Sequence, residues 1–138
     1  MQIASKTSLM KRITTILKPI MCFLFPEIGK TEKVYEDISM NIVSNIMGLG
    51  NAATPLGLKA MTSLQKINKN KTMLSNSMMM LIVLNTASLQ ILPTTVIAIR
   101  TSLGSSEPTS IIIPVWIATI SSAIAAITTT KILIKKGV

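Results

Sequence analysis

Residues 48–57 read Gly48-Leu49-Gly50-Asn51-Ala52-Ala53-Thr54-Pro55-Leu56-Gly57, and this stretch decides the fold. It lies within a longer segment, Ile38 to Leu58, that contains no Lys, Arg, Asp or Glu. Such a segment is typical of a membrane-embedded region, but three glycines, a proline and an amide at its centre argue against a continuous spanning helix. In transporters, breaks of this kind often form a substrate or ion site. The alternative is a kinked helix that packs closely through its glycines.

The charge-free segment is predicted to form a helical hairpin that enters the membrane and returns. Asn41, Asn45 and Gly48 are spaced i, i+4 and i+7, so they share one face of the first arm. Thr54 as N-cap and Pro55 as the first helical residue predict the start of the second arm. Free backbone N–H groups at the tip would suit polar or anionic ligand atoms. A full membrane crossing by this segment is an open alternative.

Two further blocks, Thr72 to Ile99 and Pro108 to Thr130, also lack charged residues. At about 1.5 Å per residue, a helix of either length can cross a hydrocarbon core of roughly 30 Å, so both are predicted to be transmembrane helices. Asn85 and Gln90 lie in the first block, where buried amides must face protein, water or a ligand. Hydrogen bonds between helices are as good an explanation of these amides as contact with a ligand. Pro93 is expected to kink or interrupt this helix.

The basic residues flank the apolar blocks and predict an orientation. Residues 59–71 and the tail after Thr130 contain lysines without any acid, whereas Arg100 and Glu107 balance each other between the two spanning blocks. Because Lys and Arg are enriched in cytoplasmic loops, we expect residues 59–71 and the C-terminus to be cytoplasmic and residues 100–107 to be external. The sequence therefore predicts a multi-pass protein of the cell membrane.

The predicted architecture is an all-α membrane protein with one domain in three parts. Residues 1–37 are expected to form an amphipathic interfacial helix and a polar connector, because apolar residues recur at helical spacing and are interrupted by Lys and Arg. Residues 38–71 comprise the re-entrant or broken hairpin and a basic loop. Residues 72–138 comprise two transmembrane helices and a basic tail.

Composition excludes several classes of function. A net charge of +9 is typical of many nucleic-acid-binding proteins, but the cations here border apolar blocks and aromatic residues are scarce, so no nucleic-acid partner is predicted. The chain has no His and a single Cys, Cys22, which excludes the usual zinc sites and the His-dependent nucleophile pairs. All five acids lie outside the apolar blocks, where a proton relay would require them. We therefore predict no enzyme activity, no metal and no cofactor.

Four motifs carry a family resemblance. They are Lys18-Pro19 through Phe25-Pro26-Glu27, Met40-Asn41-Ile42 through Asn45, Gly48 through Pro55 followed by Gly57-Leu58-Lys59-Ala60-Met61, and Asn85-Thr86 through Pro93-Thr94-Thr95. Together they resemble the spore maturation protein A family, which is one of the membrane protein families with a nucleoside-recognition, or gate, domain. The resemblance implies an integral membrane protein of endospore-forming bacteria that acts in spore maturation and core dehydration beside spore maturation protein B.

The hairpin tip is also similar in kind to the Gly- and Pro-containing tip of a re-entrant hairpin in concentrative nucleoside transporters. Where those proteins carry an acid before Ala-Pro, this chain has neutral residues. Members of the resembled family usually begin with further apolar helices, whereas this sequence starts just before the amphipathic segment. A shortened reading frame, or a separate chain that supplies those helices, would explain the difference.

Two functions are left open by the sequence. The first is a gate-type module that contacts a small solute, with the lipid bilayer as its surroundings. Its candidate contact residues are Asn41, Asn45, Gly48, Gly50, Asn51, Thr54, Pro55, Asn85 and Gln90. The second is a structural partner that organises a membrane complex during sporulation and binds no solute.

Overall fold

A computed structural model describes residues 8–28, 31–87 and 90–136, and its regular elements are all helical. The α-helices are α1 (Ser8–Leu24), α2 (Glu32–Ile46), α3 (Gly50–Ile67), α4 (Asn76–Ala87), α5 (Thr94–Ser102) and α6 (Ile112–Lys136). Short 3-10 helices span Pro26–Ile28 and Pro108–Ile111. The all-α prediction is confirmed over this described part of the chain.

Helices α2 and α3 form a hairpin whose tight turn depends on Gly48. This residue has a φ of 68°, in the left-handed region that glycine adopts most readily. The Leu49 N–H donates to the Ser44 carbonyl at 2.9 Å, and the Gly48 N–H donates to the Asn45 carbonyl at 2.9 Å. These two bonds satisfy the last carbonyls of α2 and form a Schellman motif. The chain therefore reverses direction immediately after α2.

Both arms of this hairpin begin earlier than the sequence predicts. Helix α3 starts at Gly50 with Leu49 at its N-cap, so Thr54 and Pro55 lie inside the helix. Pro55 has no N–H, so it cannot donate the helical hydrogen bond to the Asn51 carbonyl. Helix α2 starts at Glu32, within the stretch that was predicted to be a polar connector.

The first predicted transmembrane helix is wrong as a continuous element. The structure divides it into α4, with 12 residues, and α5, with 9 residues. At about 1.5 Å per residue, each piece is shorter than a hydrocarbon core of roughly 30 Å. Pro93 supports the break because it cannot donate a helical hydrogen bond. Of the two alternatives for Pro93, interruption rather than a kink is observed.

Among the described residues, one helical segment is long and apolar enough to cross a membrane. It runs from Pro108 to Lys136, and its most apolar window has a mean hydropathy of 2.1. Only 6% of that window is buried within the protein. Apolar side chains therefore cover the outside of α6, as the exposed Ile113, Ile117 and Ile124 show.

The apolar core lies at the open end of the hairpin, away from the Gly48 turn. Its buried side chains come from the end of α1, the first half of α2, the second half of α3 and the start of α4, and they include Met21, Phe25, Ile38, Leu64 and Met80. On α1, Ile16, Ile20 and Phe23 point away from this core and are exposed. The side chains of Met10, Ile13 and Leu17, which the amphipathic prediction includes, lie outside the described part.

Candidate functional site

The hairpin and α4 enclose a cleft of about 490 Å³ on the tip side of the core. Six of the predicted site residues line it: Asn41, Asn45, Gly50, Thr54, Asn85 and Gln90. The structure thus brings together residues from three separate helices and from the chain segment after α4. Among the described residues that line the cleft, none has a charged or aromatic side chain.

Three amides connect α2 to α4 and α3 within this cleft. The Asn45 Nδ2 group donates to Asn85 Oδ1 at 2.6 Å and to the Asn41 carbonyl at 3.1 Å. The Asn41 Nδ2 group donates to the Ala53 carbonyl in α3 at 3.0 Å. Asn85 Nδ2 in turn donates to the Leu81 carbonyl in its own helix at 3.0 Å. These bonds orient the amides and join the three helices at one level.

One acceptor in this network is left unused. Asn41 is 1% exposed, and its Oδ1 atom has no hydrogen-bond partner among the described residues. A buried amide oxygen without a partner costs roughly 1–3 kcal/mol, so such atoms in native proteins usually meet water or a ligand. The Asn41 side chain thus lines the cleft, and its spare acceptor, Oδ1, is buried beneath the accessible surface.

Gly57 is a site residue that the sequence analysis did not select. A Cβ atom at this position would lie 3.1 Å from Asn41 Nδ2 and 3.8 Å from Asn85 Nδ2. The absence of a side chain therefore leaves room for the amides. A signal was present in the sequence, because Gly50 and Gly57 are spaced i, i+7 and share a helical face.

Gly48, Asn51 and Pro55 are not among the residues that line the cleft. Asn51 and Pro55 are exposed on the first half of α3. Gly48 instead packs against the backbone of Leu92, so closely that an added Cβ would overlap the Leu92 carbonyl oxygen. The predicted site residues thus separate into a group at the cleft and a group at the hairpin tip.

The hairpin tip and the break between α4 and α5 lie against each other. The Ile91 N–H donates to the Ile46 carbonyl at 2.8 Å, and Thr94 Oγ1 donates to the Gly48 carbonyl at 3.0 Å. Trp116 of α6 donates from Nε1 to the Ile91 carbonyl at 2.7 Å. Backbone groups that are freed where the helices end are therefore satisfied by neighbouring segments, as embedded irregular backbone requires.

An ion pair between a buried carboxylate and an exposed lysine joins the two arms of the hairpin. The Asp37 carboxylate accepts a hydrogen bond from Ser63 Oγ at 2.5 Å and lies 2.8 Å from Lys59 Nζ. Asp37 is buried, whereas the Lys59 side chain is 60% exposed. The hydrogen bond to Asp37 raises the pKa of Lys59. This pair was not predicted from the sequence, although equal numbers of residues separate Asp37 and Lys59 from Gly48, which is the register of a hairpin centred on that glycine.

The amino-acid sequence of the chain is similar to that of a known protein. The chain is 40% identical over 127 residues to spore maturation protein A of Bacillus subtilis, and the match covers 92% of the chain. The chain is a relative of spore maturation protein A. The resemblance that the four motifs predict is therefore confirmed. The chain spans 65% of the length of that relative. No protein-family model matches the chain, and no solved structure matches it.

Proposed function

We propose that this relative of spore maturation protein A is an integral membrane protein that acts in spore maturation and core dehydration. In this proposal, the cleft between α2, α3 and α4 is part of a gate-type module that contacts a small solute. Support for a role in sporulation comes from the name of the Bacillus subtilis relative. The partner that the family resemblance implies is spore maturation protein B.

Support for a membrane setting comes from the surface of the protein. The most apolar window of the helical segment from Pro108 to Lys136 has only 6% of its residues buried, and apolar surface of this kind is costly in water and favourable in hydrocarbon. Polar backbone at the hairpin tip and at the α4–α5 break is bonded internally, as it must be away from water. The lysine distribution supports a cytoplasmic position for the α3–α4 loop and the end of α6.

The unused Asn41 acceptor is the observation that carries the proposal of a solute site. It lies beside a cleft of about 490 Å³, within the range of roughly 300–1,000 Å³ that is usual for small-molecule sites. Since the lining offers amides and hydroxyls without charge, the cleft suits a neutral solute that donates hydrogen bonds. The missing aromatic side chains make it a poor stacking site for a nucleobase.

A structural role without a solute is the second candidate. The bond between Asn45 and Asn85 at 2.6 Å and the packing of Gly48 on Leu92 are contacts that join helices, and neither needs a ligand. In this reading the hairpin organises a membrane complex, and a water molecule would satisfy Asn41. The two candidate functions differ in whether the open volume of the cleft is needed for function.

Filling the cleft without touching the amide network separates the two functions. Thr54 lines the cleft, whereas Asn51 lies outside it, and both are exposed residues in the first half of α3. For a solute site, Thr54→Leu is expected to lower spore heat resistance while Asn51→Leu leaves it near normal. Each variant replaces the deleted native copy, and its abundance in membranes is measured together with heat resistance.

The other outcomes count against the solute site. Normal heat resistance with Thr54→Leu at normal abundance would contradict the solute site. Equal losses with both variants would indicate a surface of α3 that docks a partner. Full heat resistance in cells without the protein would instead refute the role in sporulation.

A further inference from the structure

A second groove lies between α3 and the start of α4, at the end of the hairpin opposite the tip. It has a volume of about 550 Å³. Leu58, Met61 and Met78 form its apolar wall, and Lys66 and Lys71 lie at its polar end. The groove adjoins the amide cleft, with which it shares Leu58 and Met61, but no asparagine lines it and it contains two cationic side chains.

Lys66 lies in the last turn of α3 and Lys71 in the loop that follows, and hydrogen bonds hold this loop in place. Lys71 Nζ donates to the Gln65 carbonyl at 2.5 Å and to the Lys66 carbonyl at 3.1 Å, so it covers the C-terminal end of α3. Gln65 Nε2 donates to the Lys71 carbonyl at 2.9 Å, and Asn68 Nδ2 donates to the Met73 carbonyl at 2.7 Å. The cationic end of the groove is therefore positioned before any ligand arrives, which lowers the entropic cost of binding.

The charges at this end lack a counter-ion within the described residues. Lys66 Nζ has no described hydrogen bond or ion pair, and the two described bonds of Lys71 use two of its three N–H donors. No acid occurs between Asp37 and Glu107 in the sequence. Asp37 is bound by Lys59 and Ser63.

The carboxylate of Glu27 lies against the start of α4 in space, and it is also hydrogen-bonded. Its carboxylate accepts hydrogen bonds from Asn76 Nδ2 at 2.6 Å and from the Ser77 N–H at 3.3 Å, so it caps that helix. It does not line the groove. An anion at Lys66 and Lys71 would consequently meet positive charge with no carboxylate among the lining residues.

Like a phospholipid, the groove is cationic or polar at one end and apolar along the rest of its length, although its charge is opposite to that of an anionic headgroup. Leu58 and Lys66 are separated by about 12 Å along α3 at the helical rise of about 1.5 Å per residue. If the α3–α4 loop faces the cytoplasm, as the proposed function requires, the lysines lie at the membrane surface and Leu58 lies deeper. Basic pockets at this level commonly bind anionic headgroups.

We propose that this groove binds one anionic phospholipid. The headgroup phosphate is held by Lys66 and Lys71, and an acyl chain lies along Leu58, Met61 and Met78. The inference rests on the membrane placement in the proposed function, but it does not depend on a solute in the amide cleft.

Titration of the purified full chain in detergent with phosphatidylglycerol tests the site. Lys66→Gln removes a charge that lines the groove, and Lys69→Gln removes the same charge from the α3–α4 loop, outside the lining. We expect Lys66→Gln to raise the apparent Kd for phosphatidylglycerol about fivefold and Lys69→Gln to raise it less than about twofold. Binding is measured by native mass spectrometry, with phosphatidylcholine and inorganic phosphate as the competing probes.

A second variant tests the apolar wall while it preserves every charge. Thr62 lines the groove between the lysines and Leu58, so Thr62→Trp is expected to weaken phosphatidylglycerol binding and leave the lipid-free melting temperature near normal. If Thr62→Trp unfolds the protein, the comparison of Lys66→Gln with Lys69→Gln tests the lipid site by itself. Equal effects of the two lysine variants, equal binding of phosphatidylcholine, or displacement of the lipid by inorganic phosphate would each overturn the site.

Alkaline extraction of cell membranes separates this inference from the membrane placement on which it rests. A chain that stays in the membrane but shows no preference for phosphatidylglycerol contradicts the lipid site alone. A chain that is released by alkali contradicts the membrane placement, and the lipid site with it.

Discussion

The chain contains two interrupted helices, and their interruptions have different physical origins. At the α2–α3 turn, Gly48 adopts a φ of 68° and the chain reverses, so the two arms pack along each other. At the α4–α5 break, the chain does not form such a hairpin, and α5 packs mainly against the 3-10 helix at Pro108–Ile111. The first interruption is a local backbone feature, whereas the second depends on other parts of the molecule.

The two regions also differ in what they bury. The hairpin encloses polar groups, among them Asp37, Asn41 and Ser63. Helix α5 buries none of its described side chains. Its end is held instead by Arg100, whose Nη2 atom donates to the Glu107 carbonyl and to Ser110 Oγ, both at 3.1 Å. We infer that the hairpin is the rigid unit and that the α4–α5 break takes its position from it.

Gly48→Ala should have the largest effect. A Cβ atom forces an unfavourable φ and overlaps the Leu92 carbonyl, so we expect a loss of about 2–5 kcal/mol in the free energy of unfolding. Chemical denaturation in detergent measures it. Gly48→Asn is the matched variant, because asparagine tolerates positive φ but still overlaps Leu92. Recovery of stability with asparagine would show that the turn alone, and not its contact with the second break, sets the cost.

Lys59→Gln should have the next largest effect, because it leaves the buried Asp37 carboxylate with the Ser63 hydroxyl but without its cation. Loss of a hydrogen bond to a charged group costs about 1.5–3 kcal/mol, and we expect the lower end because Lys59 is largely exposed. The same measurement applies, with Lys66→Gln as the control on the same helix. The double variant with Asp37→Asn should regain stability, and a further loss would count against the role of the ion pair.

Thr94→Val tests how strongly the second break depends on the first. It removes the hydroxyl that donates to the Gly48 carbonyl, at an expected cost of about 1 kcal/mol. Thr101→Val is the control, since the Thr101 hydroxyl bonds only to the Ile97 carbonyl within α5. Distances between spin labels on α4 and α5 should broaden with Thr94→Val. Unchanged distances and stability would mean that the tip does not position this break.

Gly50→Ala should have the smallest effect and the opposite sign. An added Cβ at Gly50 meets none of the described atoms within 4 Å, and the residue lies in the first turn of α3. Alanine lowers the conformational entropy of the unfolded chain, so the free energy of unfolding should rise by up to about 1 kcal/mol. A loss as large as that of Gly48→Ala would mean that the critical contact of the tip is made at Gly50 and not at Gly48.

Features that depend on nearby residues could be predicted from the sequence alone. The helical class, the position of the hairpin and the shared face of Asn41 and Asn45 follow from charge-free length, glycine placement and the period of a helix. Glycine at a positive φ is a local preference, so the turn at Gly48 lies within the predicted tip. The exposed apolar surface of α6 likewise follows from its composition.

Only the tertiary structure decided which distant groups meet. At the α4–α5 break, donors that follow α4 bind the carbonyls of Ile46 and Gly48. The sequence of the break contains a proline, but it does not indicate which carbonyls those donors will bind. The burial of Asp37 arises because the arms of the hairpin align it with Lys59 and Ser63. The physical reason is that backbone preferences act over a few residues. Hydrogen bonds between helices form only after the helices dock, because only then does a partner far along the chain offset the cost of desolvating the polar groups.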